Sequence, residues 1–415
     1  MKKFRRKVYM VAGSNTISMG TGRKEFNPKN AMPGIEHYMK EAGRATLAKI
    51  GGAQSVDECV VGNFMSARFN KQAHLGALFP YVDGGLKGRP AMSVEGACAS
   101  GGLALITGIK SVLAETAEVV LAIGVEVQNT VKAIYGADIL GGASWFQERK
   151  TAHAYVFPGE FSDRAGVYFE KFGRERTRKA FARWYRNAIE NARLCPTAQE
   201  YHNTAEDLET RAMTEPNETV FVEHLNAYDC SKVSDGASAI AIVSEEGLER
   251  VGIPKCQAVE AMGLGHVEDD LTLRPADLTE LSTARSSIAS ALNLAGIKNN
   301  ELGTAEIHDC FTIAAVEMVE ALGFAGKGEG PGFISDGHTS RDGSFPINTT
   351  GGLIGWGHPT GCTGVHQAVT LWEQLTGAAG DSQIKIHPDR PFGISVNMGG
   401  NDKTVVAIVY RNAAG

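Results

Sequence analysis

Ser93-Val94-Glu95-Gly96-Ala97-Cys98-Ala99-Ser100-Gly101-Gly102 runs straight into Leu103-Ala104-Leu105-Ile106-Thr107-Gly108-Ile109-Lys110-Ser111-Val112-Leu113. Apolar residues at 103, 106, 109, 112 and 113 give the second part a helical period. The first part is small and glycine-rich, so the chain turns sharply there. Cys98 therefore stands where a tight turn enters a helix. Unpaired N–H groups and the dipole at a helix N-terminus favour a thiolate and lower a free thiol from its ordinary ~8.5. A thiolate in that place is a nucleophile, and the neighbouring N–H groups suit an oxyanion. Taken alone, the stretch has a second reading, a small cysteine packed under a helix, because free Cys is among the most buried residue types.

Outward from this turn the chain alternates strands and helices. Pro90 to Val94 leads into Cys98 as a strand. Val56 to Phe64 and Glu118 to Glu126 read as buried strands, the second bounded by charges. Val8 to Gly13 forms a first strand, Thr16 to Lys29 a polar loop and Pro33 to Lys49 a helix. This is the pattern of an α/β layered domain. From about Gln128 to Asn217 the character changes to aromatic and basic residues, with a basic run from Arg174 to Arg193 and helical spacing over Lys179 to Arg193. The segment reads as an inserted, mainly helical excursion, either a solvated face or a nucleotide-binding lid. Strand character returns over Asp229 to Ser244, where Gly236, Ala237, Ser238 and Ala239 point to close packing. Gly252-Ile253-Pro254 marks a linker.

A second alternation follows: strand Gln257 to Met262, helix Thr279 to Ala295, strand Ala305 to His308 and helix Thr312 to Leu322. Then come the glycine-rich Asn348 to Gly364, helix Val365 to Leu375 and strands Gly393 to Asn397 and Lys403 to Tyr410. The two halves share an order of elements, a sign of duplication that the letters alone do not carry.

A length of 415 residues suggests two to three domains, and 43% apolar with 21% charged residues is ordinary for a globular protein. The formal net charge of −6 argues against a general affinity for nucleic acid. Seven cysteines without a CxxC pair argue against a disulfide framework or a zinc site and fit reduced, cytoplasmic thiols. No apolar run approaches the ~18 residues of a membrane span. The basic Met1 to Lys7 resembles the start of a signal segment, but the apolar run behind it is short and Ser14-Asn15 follows. The chain closes on Arg411-Asn412-Ala413-Ala414-Gly415, with no peroxisomal tripeptide.

Three later stretches carry chemistry. His308-Asp309-Cys310-Phe311 follows a short strand and opens a helix, where polar groups collect; Asp309 also reads as a plain helix cap. Asn348 to Gly364 holds Gly351, Gly352, Gly355 and Gly357 before His358, with Pro359, Gly361 and Gly364 after it. Backbone shaped this heavily around one imidazole reads as function, since a neutral His takes a proton from a thiol near neutral pH. Cys362 in the same loop reads as packing. Ser395 to Asn401 ends a strand in a glycine turn, where the N–H of Gly399 either faces an acyl oxygen or simply closes a hairpin.

Together these four stretches resemble the thiolase superfamily, in particular the sterol-carrier-protein-type thiolases with the His-Asp-Cys-Phe motif. Gly96-Ala97-Cys98-Ala99-Ser100-Gly101 is similar to the family's nucleophile loop, Gly357-His358-Pro359 to its base loop and Ser234-Asp235-Gly236 to the strand closing its N-terminal half. His308 to Phe311 stands where degradative and biosynthetic thiolases carry Asn-Glu-Ala-Phe. One departure matters. Those enzymes place a second catalytic cysteine in a Cys-x-Gly turn near the C-terminus, and here that position is Asn397-Met398-Gly399.

The resemblance implies an α/β thiolase fold of five αβαβα layers with two similar halves. The N-terminal half would span 1–126 and 216–247, an inserted loop domain 127–215 and the C-terminal half 248–415. It implies CoA-dependent cleavage of 3-ketoacyl-CoA, or the reverse Claisen condensation, through a Cys98 acyl-enzyme. His358 is then the base and Cys310 the acid for the acetyl carbanion. One oxyanion hole is formed by the N–H groups of Cys98 and Gly399, and His308 lines the other. CoA is a co-substrate, no other cofactor or metal is implied, and the insert becomes a CoA-binding candidate. A homodimer or dimer of dimers is expected, and a small partner protein is compatible with the pattern. No sterol-carrier domain is expected to be fused. Two other functions fit part of the pattern: a ketoacyl-synthase-like condensing enzyme, and a non-catalytic acyl-CoA-binding scaffold subunit.

Overall fold

The computed structural model describes residues 4–148 and 153–415. Residues 1–3 of the basic N-terminal cluster and 149–152 of the insert lie outside the described residues. The strands are β1 (Tyr9–Asn15), β2 (Glu58–Gly62), β3 (Ala91–Val94), β4 (Val119–Val127), β5 (Asp235–Val243), β6 (Val259–Glu268), β7 (Leu302–Ile307), β8 (Phe392–Gly399) and β9 (Thr404–Asn412). The principal helices are α1 (Ile35–Lys49), α2 (Ser100–Leu113), α3 (Ala133–Leu140), α4 (Val156–Phe172), α5 (Arg174–Ala192), α6 (Ser282–Ala295), α7 (Thr312–Ala321) and α8 (Thr363–Thr376).

The nine strands form one sheet in the order β3-β2-β4-β5-β1-β6-β9-β8-β7. In the first half β2 runs parallel to β3 and β4, while β5 is antiparallel to both β4 and β1. The second half repeats this: β7 is parallel to β8, and β9 is antiparallel to β8 and β6. The counterpart of β3 has shrunk to one parallel bridge, Ala305 to Ile347. The halves join where Tyr9 and Met10 of β1 pair with Glu260 and Val259 of β6. The duplication suggested by the element order is thus explicit in strand order and direction.

Both faces of the strands are apolar because both are covered. Tyr9, Val11, Val61, Leu121 and Ile123 face one way, onto Tyr38, Met39 and Leu47 of α1. Met10, Val60, Val120 and Ile242 face the other way, onto a central layer of α2 and α8, which also receives Val406, Ile408 and Tyr410 of the second half. The far face of that half packs Ile394, Val396 and Val405 against Ile288 of α6 and Val316 and Val319 of α7. The result is five layers, αβαβα. The two central helices touch backbone to backbone: a Cβ on Gly101 would lie 2.8 Å from the Gly364 nitrogen, and one on Gly364 only 2.2 Å from that of Gly102.

Two boundaries differ from the pattern in the letters. The strand expected from Asp229 starts at Asp235, because its ladder partner β4 ends at Val127, opposite Asp235. The strand expected to stop at Met262 runs on to Glu268, paired with β9. Its glycines interrupt the apolar pattern because α6 lies on them: a Cβ on Gly265 would come within 1.9 Å of the Ser287 carbonyl.

Candidate active site

The Cys98 turn is held by its own backbone. Ala97 adopts a left-handed φ of 52°, a strained state for a residue with a side chain. The Gly96 N–H donates to Ser100 Oγ (3.0 Å), which donates to the Ala97 carbonyl (2.6 Å). Helix α2 begins at Ser100, so Cys98 lies in the turn ahead of it. The expected depression of its thiol is not found. Burial, reinforced by the Glu126 carboxylate, pushes Cys98 up to about 12, against the N–H groups of Cys98 and Gly400. At rest Cys98 is a neutral thiol, because removing a charge from water outweighs the helix end.

Two imidazoles from the second half reach this sulfur. One donor atom each of Cys98, His308 and His358 lie within 4.8 Å of one another, and the two rings meet edge to face at 5.0 Å. Three such donors have the reach to hold a metal ion, but hydrogen bonding gives each a separate task. The His358 loop is fixed by its N–H to Ser234 Oγ (2.9 Å) and by Gln128 Nε2 donating to its carbonyl (2.8 Å). Gly357, at φ 117°, has no room for a Cβ, which would fall 2.3 Å from Ser18 Oγ. His358 Nδ1 lies 2.7 Å from Thr363 Oγ1, whose proton goes to the Pro359 carbonyl. Nδ1 therefore carries hydrogen, and Nε2 has the free lone pair. Burial lowers His358 to about 3, so it is neutral.

His308 is the opposite tautomer. Asn397 Oδ1 accepts the Gly102 N–H at 3.0 Å, which fixes the amide orientation. Asn397 Nδ2 then donates to the Cys98 carbonyl (3.0 Å) and toward His308 Nδ1 (3.3 Å). His308 Nδ1 is an acceptor and its Nε2 carries hydrogen. Burial, then the neighbouring His358, holds His308 well below its ordinary value. One ring thus presents a lone pair at Nε2 and the other an N–H. Asn397 links the Cys98 turn to His308, a contact that is not visible in the sequence.

Cys310 is buried and lines the same cavity as Cys98, His308 and His358, outside their tight cluster. Burial, with Cys98 and Asp309 nearby, raises its thiol well above the ordinary range, so it holds its proton. Asp309 is no helix cap: it accepts from Leu353 N (2.7 Å) and Trp184 Nε1 (3.0 Å) and ties the motif to the insert. Gly399 presses on the nucleophile turn, where a Cβ would meet the Gly96 carbonyl at 2.2 Å. It is Gly400, one residue on, that lines the cavity and faces the sulfur. Cys362 packs in the core, its thiol donating to Ser238 Oγ at 3.1 Å.

Glu126 is a second residue the sequence did not single out. Its buried carboxylate accepts from Phe64 N (2.9 Å), Met65 N (3.1 Å), Asn63 Nδ2 (3.0 Å), Thr360 Oγ1 (2.9 Å) and Gly361 N (3.1 Å). It welds a first-half loop to the loop that carries His358. A lone carboxylate closing an apolar strand was the available signal.

The cavity above Cys98 has a volume of about 250 Å³ and is walled largely by apolar groups, among them Phe69, Phe157, Phe161, Phe221 and Phe311. The insert supplies much of this wall, and four arginines of its basic run pair with carboxylates. Arg174 pairs with Glu215 (2.8 Å), Arg178 with Asp229 (2.5 Å), Arg183 with Glu209 (3.3 Å) and Arg186 with Glu190 (2.7 Å). Much of the basic run is ion-paired in this structure, and among the described residues Lys232 is the basic side chain at the cavity wall.

A cysteine at a helix-leading turn, with a neutral imidazole base and fixed donors, is the site of an acyltransferase working through a thioester. Residues 16–166 match the family model "Thiolase, N-terminal domain" and residues 265–412 "Thiolase C-terminal domain-like". The chain belongs to the thiolase family and is a CoA-dependent acyltransferase. It is 32% identical over 374 residues to an acetyl-CoA acetyltransferase of Methanothermobacter thermautotrophicus, covering 89% of this chain and 92% of that one. It is 26% identical to the benzoylsuccinyl-CoA thiolase subunit BbsB of Thauera aromatica, over 93% of each chain. Among solved structures, a chain of the Ltp2-ChsH2(DUF35) aldolase superposes with a TM-score of 0.77 at 20% identity, covering 98% of both chains. No helix among the described residues is long and apolar enough to cross a membrane.

Proposed function

We propose that this chain cleaves 3-ketoacyl-CoA, or runs the reverse condensation, with Cys98, His308, Cys310 and His358 as its catalytic residues. His358 Nε2 takes the Cys98 proton as the sulfur adds to the 3-keto carbon. The carbon–carbon bond breaks, leaving the acyl group on Cys98 and the electron pair on the enolate of acetyl-CoA. His308 Nε2–H steadies the enolate oxygen, and the Cys310 thiol protonates the carbon. CoA then adds to the acyl-enzyme, its thiol proton passing to the Cys310 thiolate, and the Cys98–acyl bond breaks to release acyl-CoA while His358 returns its proton to the Cys98 sulfur. The acyl oxygen is met by the N–H of Cys98 and by the Gly399-Gly400 turn. The carbanion is the hard intermediate, so donors fixed before it forms contribute most.

The observation that carries this reading is the meeting of one thiol and two imidazoles within 4.8 Å on the floor of one cavity. Its test is intact mass after incubation with acetoacetyl-CoA. An acetyl adduct on Cys98 is expected, absent in Cys98→Ala. Cys310→Ala is expected to keep acylation from a simple thioester and lose carbon–carbon exchange. Full thiolysis in that variant removes Cys310 as the acid. The Cys-His-His cluster also fits a decarboxylating condensing enzyme, and a strict requirement for malonyl thioesters would select that reading.

The units proposed are 1–126 with 216–247, the insert 127–215 and 248–415, with CoA entering past the insert. The edge strand β3 exposes Ala91, Met92 and Ser93 and is suited to pairing with a second copy. A small partner is proposed because the Ltp2 complex is named with a DUF35 component. Its place is the exposed apolar rim at Val131, Tyr135, Val220 and Val233. Seven unpaired cysteines fit a reducing compartment such as the cytoplasm.

A further inference from the structure

Arg164 of α4 is fully buried. Its Nε donates to Asn401 Oδ1 at 2.6 Å, and its Nη1 to the Glu280 carbonyl (3.0 Å) and Glu317 Oε2 (3.1 Å). Its Nη2 and the second oxygen of Glu317 have no hydrogen-bond partner. Burying a charge is costly unless its partners repay it, and replacing such a pair by apolar groups is often neutral or stabilising. Stability alone is therefore a weak reason for this pair, and its location gives a better one.

Asn401 belongs to the β8–β9 turn. The preceding Gly400 is held in a left-handed conformation at φ 64° and turns its N–H to the Cys98 sulfur. The following Asp402, at φ 62°, accepts from Thr283 N (2.9 Å) and Ala284 N (3.0 Å) at the start of α6. The turn is thus clamped on both sides, by α6 through Asp402 and by the insert through Arg164. One helical turn before Arg164, Phe161 lines the cavity and stacks on Phe311 at 4.5 Å, next to Cys310. A single inserted helix therefore touches the groups beside both thiols.

We propose that Arg164 is a positioning residue that holds the Gly400 N–H in register with the Cys98 acyl oxygen, coupling the inserted helix to the oxyanion hole. This rests on the reading of Cys98 as the acylated nucleophile. A donor set about 1 Å out of place costs on the order of 10²-fold in rate. It acts on the tetrahedral intermediate more than on bound substrate, so the loss falls on kcat.

The test compares the full-length enzyme with Arg164→Lys, Asn401→Ala and the double variant. Single-turnover acylation from acetoacetyl-CoA is followed by intact mass, and steady-state thiolysis by kcat and KM. Both single variants are expected to lose ~10- to 100-fold in acylation rate and kcat, with KM within about twofold. The double variant is expected to be no slower than the slower single one, because both break one contact. Asn401→Ala removes no charge and stays informative if Arg164→Lys folds poorly. Wild-type kcat in Asn401→Ala, or losses that multiply in the double variant, overturns the proposal. A wild-type enzyme that never acylates on Cys98 instead overturns the underlying functional reading.

Discussion

The β4–β5 and β8–β9 connections occupy the same place in the two halves of the sheet. One runs from Gln128 to Ser234 and carries α3, α4 and α5; the other is a turn from Gly400 to Lys403. The long connection forms cavity walls and the short one forms the floor by the nucleophile. A duplicated scaffold has thus been divided by loop length: one half reaches out over the cavity, the other stays close to the sulfur. The cluster is divided as well, with Cys98 from the first half and both imidazoles from the second. What makes them one site is a set of polar side chains crossing the seam.

The sharpest way to break this division is at the sulfur. Cys98→Ala is expected to reduce acyl transfer by at least ~10⁴-fold, with the cavity still able to bind CoA esters. Residual transfer near the wild-type rate would move the nucleophile elsewhere. On the opposite half, His358→Ala is expected to slow acylation by about 10²- to 10⁴-fold, read by stopped-flow thiolysis. Asn397→Ala frees the His308 ring and the Cys98 carbonyl together, and a ~10- to 100-fold loss in kcat is expected. Rescue by Asn397→Asp is not expected, because a carboxylate has no proton for His308 Nδ1.

Glu126→Gln tests the weld between the halves without touching the reacting atoms. The new NH₂ would face N–H and O–H donors, so about 2–3 kcal/mol of stability should be lost, read as a lower midpoint in thermal unfolding. The smallest effect is one of pH. His358 is lowered to about 3 and is already neutral at any pH above that. No acid limb from its protonation is expected near pH 6.5 in the acylation rate. A limb there would mean that water reaches the ring far more freely than its burial allows.

Much of this architecture was legible in the letters, for physical reasons. Strands buried on both faces leave unbroken apolar runs, as in 119–125, and helices leave the 103–113 period. The glycines around Cys98 and His358 mark backbone brought into places a Cβ would fill. What the letters did not carry is set by contacts between distant residues. The direction of the Cys98 shift depends on burial that no local stretch encodes. Asn397 meets Cys98 and His308 only after folding, and Glu126 joins residues 63 and 361. Arg164 shares a helical face with Phe161, Ala165 and Tyr168, so a charge on an apolar stripe was the one hint it gave.

Where α2 and α8 meet at Gly101, Gly102 and Gly364, main chain lies on main chain, and the amides that feed Asn397 start from that seam. Such a joint tolerates no inserted methyl, yet it asks nothing of the side chains projecting beyond it. New reactivities are therefore reached by exchanging tips around an unchanging pivot. Asn397 and Cys310 are tips of that kind, set beside a joint in which no side chain takes part.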